Sequence, residues 1–134
     1  MTRPRVLLAD DHKEVCDSVV RLLSSEFEVV GVVQDGAELL STELNKLPDV
    51  CVIDISMPII CGIEAARMLK ARGSKAKIVF LTVHEDSDFV RAAIDVGALG
   101  YVVKSHIASD LCTAIRAALI GERFISSSRK LERQ

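Results

Sequence analysis

The chain has 134 residues, 49% of them hydrophobic and 27% charged, with a formal net charge of -2. That length suits one domain that buries its own core, and the balance of apolar to charged residues excludes a disordered chain. The slightly acidic charge argues against a nucleic-acid binder working through a basic surface, no apolar run nears the roughly 20 residues of a membrane span, and Asp10 and Asp11 come too early for a signal peptide, so a cytoplasmic protein is expected.

The elements alternate along the chain. A short β-branched run at 5–9 is followed by helical spacing at Val15, Val19, Leu22 and Leu23. The run at 27–33 precedes Leu40, Leu44 and Leu47, and the run at 49–53 precedes Ile63, Ala66, Met68 and Leu69. The run at 77–81 precedes Val90, Ala93, Ile94 and Gly97, and the run at 101–103 precedes Leu111, Ile115, Ala118 and Leu119. Short continuous apolar runs suit strands buried on both faces, and the spacings between them place apolar side chains on one helix face. Gly73, Gly97 and Gly121 fall where left-handed helix ends are wanted. Pro48 cannot continue the second helix, and Ser87 and Ser109 stand at expected N-caps. Five strands alternating with five helices predict a doubly wound α/β fold with a parallel sheet and right-handed crossovers. Residues 1–125 form the domain, and 126–134 read as a polar tail or the start of a linker.

Cys16, Cys51, Cys61 and Cys112 show no paired or zinc-finger spacing and are expected to be free thiols that pack as small apolar residues. His12, His84 and His106 are scattered and do not suggest a metal site of their own.

In open parallel sheets the chemistry gathers beyond the carboxyl ends of the strands. Asp10 and Asp11 follow the first strand, Asp54 ends the third, Thr82 follows the fourth and Lys104 the fifth. Three carboxylates at close range repel one another, and a hard divalent cation such as Mg2+ resolves the conflict. A carboxylate can also attack phosphorus, and phosphoryl transfer needs little beyond positive charge and donors around the moving oxygens. Asp54, ending the central apolar strand, is the candidate nucleophile. Thr82 and Lys104 are candidate donors.

This ordered set resembles the receiver domain of two-component response regulators. The matching segments are Asp10-Asp11, Asp54-Ile55-Ser56-Met57-Pro58, Leu81-Thr82, Gly100-Tyr101 and Lys104, and the likeness runs from residue 5 to about 126. Asp10-Asp11-His12, Leu81 to Asp86, Ala114 to Ala117 and Gly121 to Ser126 are similar to the LuxR/NarL-type transcriptional branch. The resemblance implies a flavodoxin-like (βα)5 fold with strand order 2-1-3-4-5. It implies that Asp54 accepts a phosphoryl group from a sensor histidine kinase. Asp11, Asp54 and the backbone carbonyl of Ser56 would hold Mg2+, with Asp10 assisting partly through water. Thr82 and Lys104 would contact the phosphoryl oxygens, and Thr82 and Tyr101 would form the switch. The face around the fourth helix, fifth strand and fifth helix would pass the signal on, with a homodimer as one route. DNA would be reached only through a helix-turn-helix output domain absent from this chain. The module would catalyse only its own phosphorylation and dephosphorylation, so it is not expected to be a turnover enzyme.

The chain departs from that pattern in three places. Ser105 follows Lys104 where proline with a cis bond is usual, and the cost of a non-proline cis bond predicts a trans bond here. Val83 is larger than the usual residue after the threonine, which predicts slow loss of phosphate. Cys61 is a poor helix cap. His12 and His84 lie near the site and are expected to be solvated loop residues. Other functions fit less well. A free-standing receiver, or a receiver-like module that signals without phosphate, shares the fold. A flavin carrier would need a hydroxyl-rich phosphate loop and aromatics, whereas this chain has no Trp and one Tyr. An aspartyl phosphatase would carry a second Asp at position 56, where Ser56 stands.

Overall fold

The computed structural model describes residues 2–126. Six parallel strands form one sheet in the order β2-β1-β3-β4-β5-β6. The strands are β1 (Arg5–Ala9), β2 (Glu28–Val33), β3 (Val50–Asp54), β4 (Lys77–Thr82), β5 (Gly100–Val103) and β6 (Phe124–Ile125). The helices are α1 (Lys13–Leu23), α2 (Gly36–Lys46), α3 (Gly62–Ala71), α4 (Ser87–Asp95) and α5 (Ile107–Leu119). The doubly wound α/β fold and the order of the first five strands agree with expectation. The sixth, two-residue strand is an addition that its length kept out of the periodicity.

Alternate side chains of the strands point to opposite faces and build two cores. Leu7, Cys51, Ile53, Ile78, Phe80 and Tyr101 pack beneath α2, α3 and α4. Val6, Leu8, Val52, Val79, Leu81 and Val102 pack beneath α1 and α5. The first four crossovers share one hand. The connection β5–α5–β6 has the opposite hand, because it moves outward along the sheet as β3–α3–β4 does but carries its helix on the other face. A uniform hand was expected. The rule rests on a full, twisted strand feeding back onto the sheet, and β6 supplies only two residues.

Gly73, Gly97 and Gly121 take φ values of +84°, +90° and +80° just past α3, α4 and α5, as the helix-end reading required. The N-cap expectations need correction. Asp86, not Ser87, occupies the N-cap position of α4, and α5 begins after His106, so Ser109 lies inside its first turn with its hydroxyl donating to the His106 carbonyl. A single 3-10 turn over Lys104–His106 runs straight into α5 and moves that boundary.

The second helix is also rotated from its leucine spacing. Gly36, Leu39 and Glu43 are buried, while Leu44 and Leu47 are 60% and 69% exposed. Gly36 fixes this rotation by close approach: a Cβ there would stand 2.4 Å from the Ile60 carbonyl oxygen. Glu43 is then turned inward, where it accepts from Arg72 Nη2 and from Ser74 Oγ, both at 2.6 Å. A buried carboxylate is tolerable only with such partners. Asp35, at the start of α2, accepts from the Glu38 backbone N–H at 2.8 Å.

Ser126 was expected in the polar tail, but it is buried. Its N–H donates to the Tyr101 carbonyl at 2.7 Å, and its hydroxyl donates to Asp110 Oδ2 and accepts from the Val103 N–H. The remainder of the expected tail, 127–134, lies outside the described residues.

Candidate functional site

The site lies beyond the carboxyl ends of the strands, and the strand register makes it. Ala9 pairs with Ile53 across β1 and β3, so Asp10 emerges beside Asp54. Asp54 pairs with Leu81 and Thr82 with Val103, which brings Thr82 and Lys104 to the same edge. Asp10, Asp54 and Thr82 are buried there. Asp11 is exposed at the rim.

Lys104 Nζ lies 2.9 Å from Asp10 Oδ2 and 3.2 Å from Asp54 Oδ2. The Lys104–Ser105 peptide is trans, as the residues predicted, and the 3-10 turn still delivers the ammonium to the carboxylates. Burial works against this ammonium, but its hydrogen bond and ion pairs with the two aspartates outweigh that and raise its pKa. Burial, reinforced by the Asp10 carboxylate, raises the Asp54 carboxyl, and the Ser56 N–H at 3.1 Å and Lys104 only partly offset this. Asp10 Oδ2 is buried, and among the described residues its partner is the Lys104 ammonium at 2.9 Å, an ion pair without an aligned hydrogen bond.

Asp10, Asp11, His12 and Asp54 each offer a ligand atom within 4.8 Å of the others. Three carboxylates at this spacing, two of them buried, fit a divalent cation.

His12 is exposed, as expected, and His84 is half-buried, and both rings make specific contacts. His12 Nδ1 turns back onto the acidic cluster, 3.1 Å from Asp10 Oδ1. His84 stacks on Phe89 with ring centroids 4.0 Å apart, and its Nε2 lies 3.0 Å from Ser56 Oγ. Its backbone N–H donates to Thr82 Oγ1 at 3.1 Å, and its carbonyl accepts from Tyr101 OH at 2.7 Å. His84 thus ties the loop after β3 to the loop after β4 and to Tyr101. The available signal was spacing, since His84 lies two residues after Thr82 just as Ser56 lies two after Asp54. Tyr101 is buried, its hydroxyl raised well above its ordinary pKa by that burial and by Asp86 and Glu85.

Val83 is exposed directly after Thr82, and Cys61 starts α3 without a side-chain cap bond. Cys61 is exposed, unlike the packed thiol expected. Cys16 and Cys51 are buried, and burial pushes their thiols up to about 11 and about 12.

The loop after β3 stores strain. Ile59 is β-branched, 77% exposed, and held at φ +71°. A left-handed backbone costs an L-residue roughly 1–2 kcal/mol, part of which glycine gives back through its freer unfolded state. Ile59→Gly is expected to raise stability by about 0.5–1 kcal/mol, read as a higher urea midpoint with an unchanged slope.

A buried acidic cluster, a lysine from the end of β5 and a threonine from the end of β4, on a 2-1-3-4-5 sheet, define a receiver module. The chain belongs to the response regulator receiver domain family, which matches residues 6–116. Its relatives within that family are regulators of the LuxR/NarL type. It is 38% identical over 125 residues to the transcriptional regulatory protein LiaR of Bacillus subtilis (strain 168), covering 92% of this chain and 59% of that one. It is 36% identical over 124 residues to the response regulator GacA of Pseudomonas viridiflava, covering 91% and 58%. A two-component response regulator of the LuxR family from Aurantimonas sp. SI85-9A1 superposes with a TM-score of 0.89 at 33% identity, covering 98% of this chain and 94% of that one. The chain spans less than two thirds of the length of these two curated relatives. Among the described residues no helix is long and apolar enough to cross a membrane.

Proposed function

We propose that Asp54 takes a phosphoryl group from a phosphohistidine of a sensor histidine kinase in the cytoplasm, and that the added charge resets the loops after β4 and β5. The reading rests above all on Lys104, whose ammonium reaches both buried carboxylates, Asp10 at 2.9 Å and Asp54 at 3.2 Å. A carboxylate oxygen of Asp54 forms the bond to phosphorus as the bond from phosphorus to the kinase imidazole breaks. The electron pair of the broken bond stays with the imidazole nitrogen. Asp10, Asp11, Asp54 and the Ser56 backbone carbonyl are the residues that would hold Mg2+. When bound, the cation neutralises the carboxylates and stabilises charge on the phosphoryl oxygens.

Thr82 already accepts a hydrogen bond from His84, so its own hydroxyl hydrogen is free to donate to a phosphoryl oxygen. Lys104 exchanges a carboxylate for a second phosphoryl oxygen. Phosphorylation brings about 1.5–2 negative charges, and only one arrangement of Thr82 and Lys104 satisfies them. A shift of Thr82 pulls on His84, and the Tyr101 hydroxyl bond to the His84 carbonyl carries that movement to β5. The face of α4, β5 and α5 then presents the changed surface to a second copy or to an output segment. By likeness to the longer transcriptional relatives, that output is transcription, with DNA bound outside these residues. The module turns over on itself alone, gaining one phosphoryl group and later losing it to water.

Intact mass after incubation with acetyl phosphate tests the reading. One phosphoryl group is expected with Mg2+ and none after the cation is chelated. No adduct under either condition would leave a receiver fold that signals without phosphate.

A further inference from the structure

We propose that His12 is a nitrogen ligand at the acidic site and biases it toward first-row transition-metal ions, Ni2+ among them, relative to Mg2+. The inference rests on the metal-binding reading of Asp10, Asp11 and Asp54 given above. His12 opens α1 with an extended backbone (φ -97°, ψ 105°), yet its side chain caps no helix N–H. Its backbone N–H is held instead by Asp10 Oδ1 at 2.8 Å, which fixes the residue against the cluster. The ring turns inward, and its Nδ1 lies 3.1 Å from Asp10 Oδ1, 3.2 Å from Asp11 Oδ1 and 3.9 Å from Asp54 Oδ2. Lys104 Nζ stands 3.3 Å from the same nitrogen.

That nitrogen therefore faces acceptors and a donor at once. Protonated, it suits the carboxylates and opposes the ammonium; unprotonated, it does the reverse. A divalent cation bound among these atoms gives the lone pair of Nδ1 and the carboxylate oxygens one common partner. Among the described residues the buried Asp10 Oδ2 has an ion pair with the Lys104 ammonium at 2.9 Å but no aligned hydrogen bond, which leaves a lone pair for a cation. The donor set then becomes three carboxylates and one imidazole within 4.8 Å. Oxygen-only sites suit Mg2+, whereas imidazole favours the transition metals, so one nitrogen shifts the preference.

Calorimetric titration of the full chain with Ni2+ and with Mg2+, each also in competition with the other, tests this. His12→Asn places a favourable N-cap residue at an exposed position, so the fold is kept. His106→Asn controls for adventitious binding to another imidazole. Ni2+ and Mg2+ are expected to compete, and His12→Asn to lower the ratio of Ni2+ to Mg2+ affinity at least about tenfold, given that even residues supporting a ligand cost 10–100-fold. His106→Asn should leave that ratio in place. An unchanged ratio in His12→Asn, with both ions still competing, overturns the role of His12 and leaves the acidic site standing. An equal drop in His106→Asn overturns it as surface binding. Failure of the parent to bind Mg2+ removes the metal reading and this inference together.

Discussion

Replacing Lys104 with Met is expected to destabilise the cation-free protein by about 3 kcal/mol and to slow phosphoryl uptake about 10²-fold. The side chain is only 10% exposed and faces two carboxylates that are themselves buried. Removing one partner of a buried ion pair leaves the other charge without compensation, which costs far more than losing a surface bridge. The kinetic loss follows from removing a positioned donor to the phosphoryl oxygens. Two further measurements separate these causes. Adding Mg2+ should recover much of the stability by mass action, since an ion at about 100 times its Kd contributes about 2.7 kcal/mol. It should not restore the rate, because the ammonium is still missing. Adding Asp10→Asn to Lys104→Met should also recover stability by removing one of the two stranded charges. Chemical denaturation with and without EDTA, and intact mass against time, read both effects.

Asp54→Asn is expected to abolish phosphoryl uptake while making the cation-free fold more stable by about 1 kcal/mol. The amide cannot act as the nucleophile. It also removes a carboxylate that sits beside Asp10 and is penalised by burial. The pH dependence carries a definite sign. Burial first, then Asp10, raises the folded-state pKa of Asp54 above its ordinary value of 3.8. Between 3.8 and that raised value the folded state binds the proton more tightly than the unfolded chain, so this group makes stability rise as pH falls. Above the raised value the full penalty is present. The advantage of Asp54→Asn over the parent should therefore be largest near neutrality and shrink on acidification, vanishing toward pH 3.8. A variant no more stable than its parent near neutrality would mean that Lys104 already compensates Asp54 in full.

Much of the site was legible because its residues directly follow strands. Asp10, Asp11, Asp54, Thr82 and Lys104 each end or follow an apolar run, and a parallel sheet has only one carboxyl edge to which they can come. The partners of the two histidines were not legible for the converse reason. Both histidines sit in loops without periodicity, and the partners of a loop ring are chosen by what the neighbouring strands present. His12 and His84 face Asp10 and Ser56, residues delivered by the fold rather than by local spacing.

The sequence by itself determined the alternation of strands and helices, the doubly wound class and the edge where the charges collect. These depend on periods of two and of 3.6 residues and on turn chemistry, all local properties. Only the tertiary structure decided how α2 is rotated, where α5 begins, that β6 joins the sheet and that Ser126 is buried. Leucine spacing placed Leu44 and Leu47 inward, but the close approach of Gly36 to Ile60 and the inward pairing of Glu43 with Arg72 and Ser74 turn Leu44 out, and Leu47 stands past the helix end at φ +47°. Contacts between residues distant in sequence set such choices. No local pattern encodes them, because each partner acquires its position only when the sheet has formed.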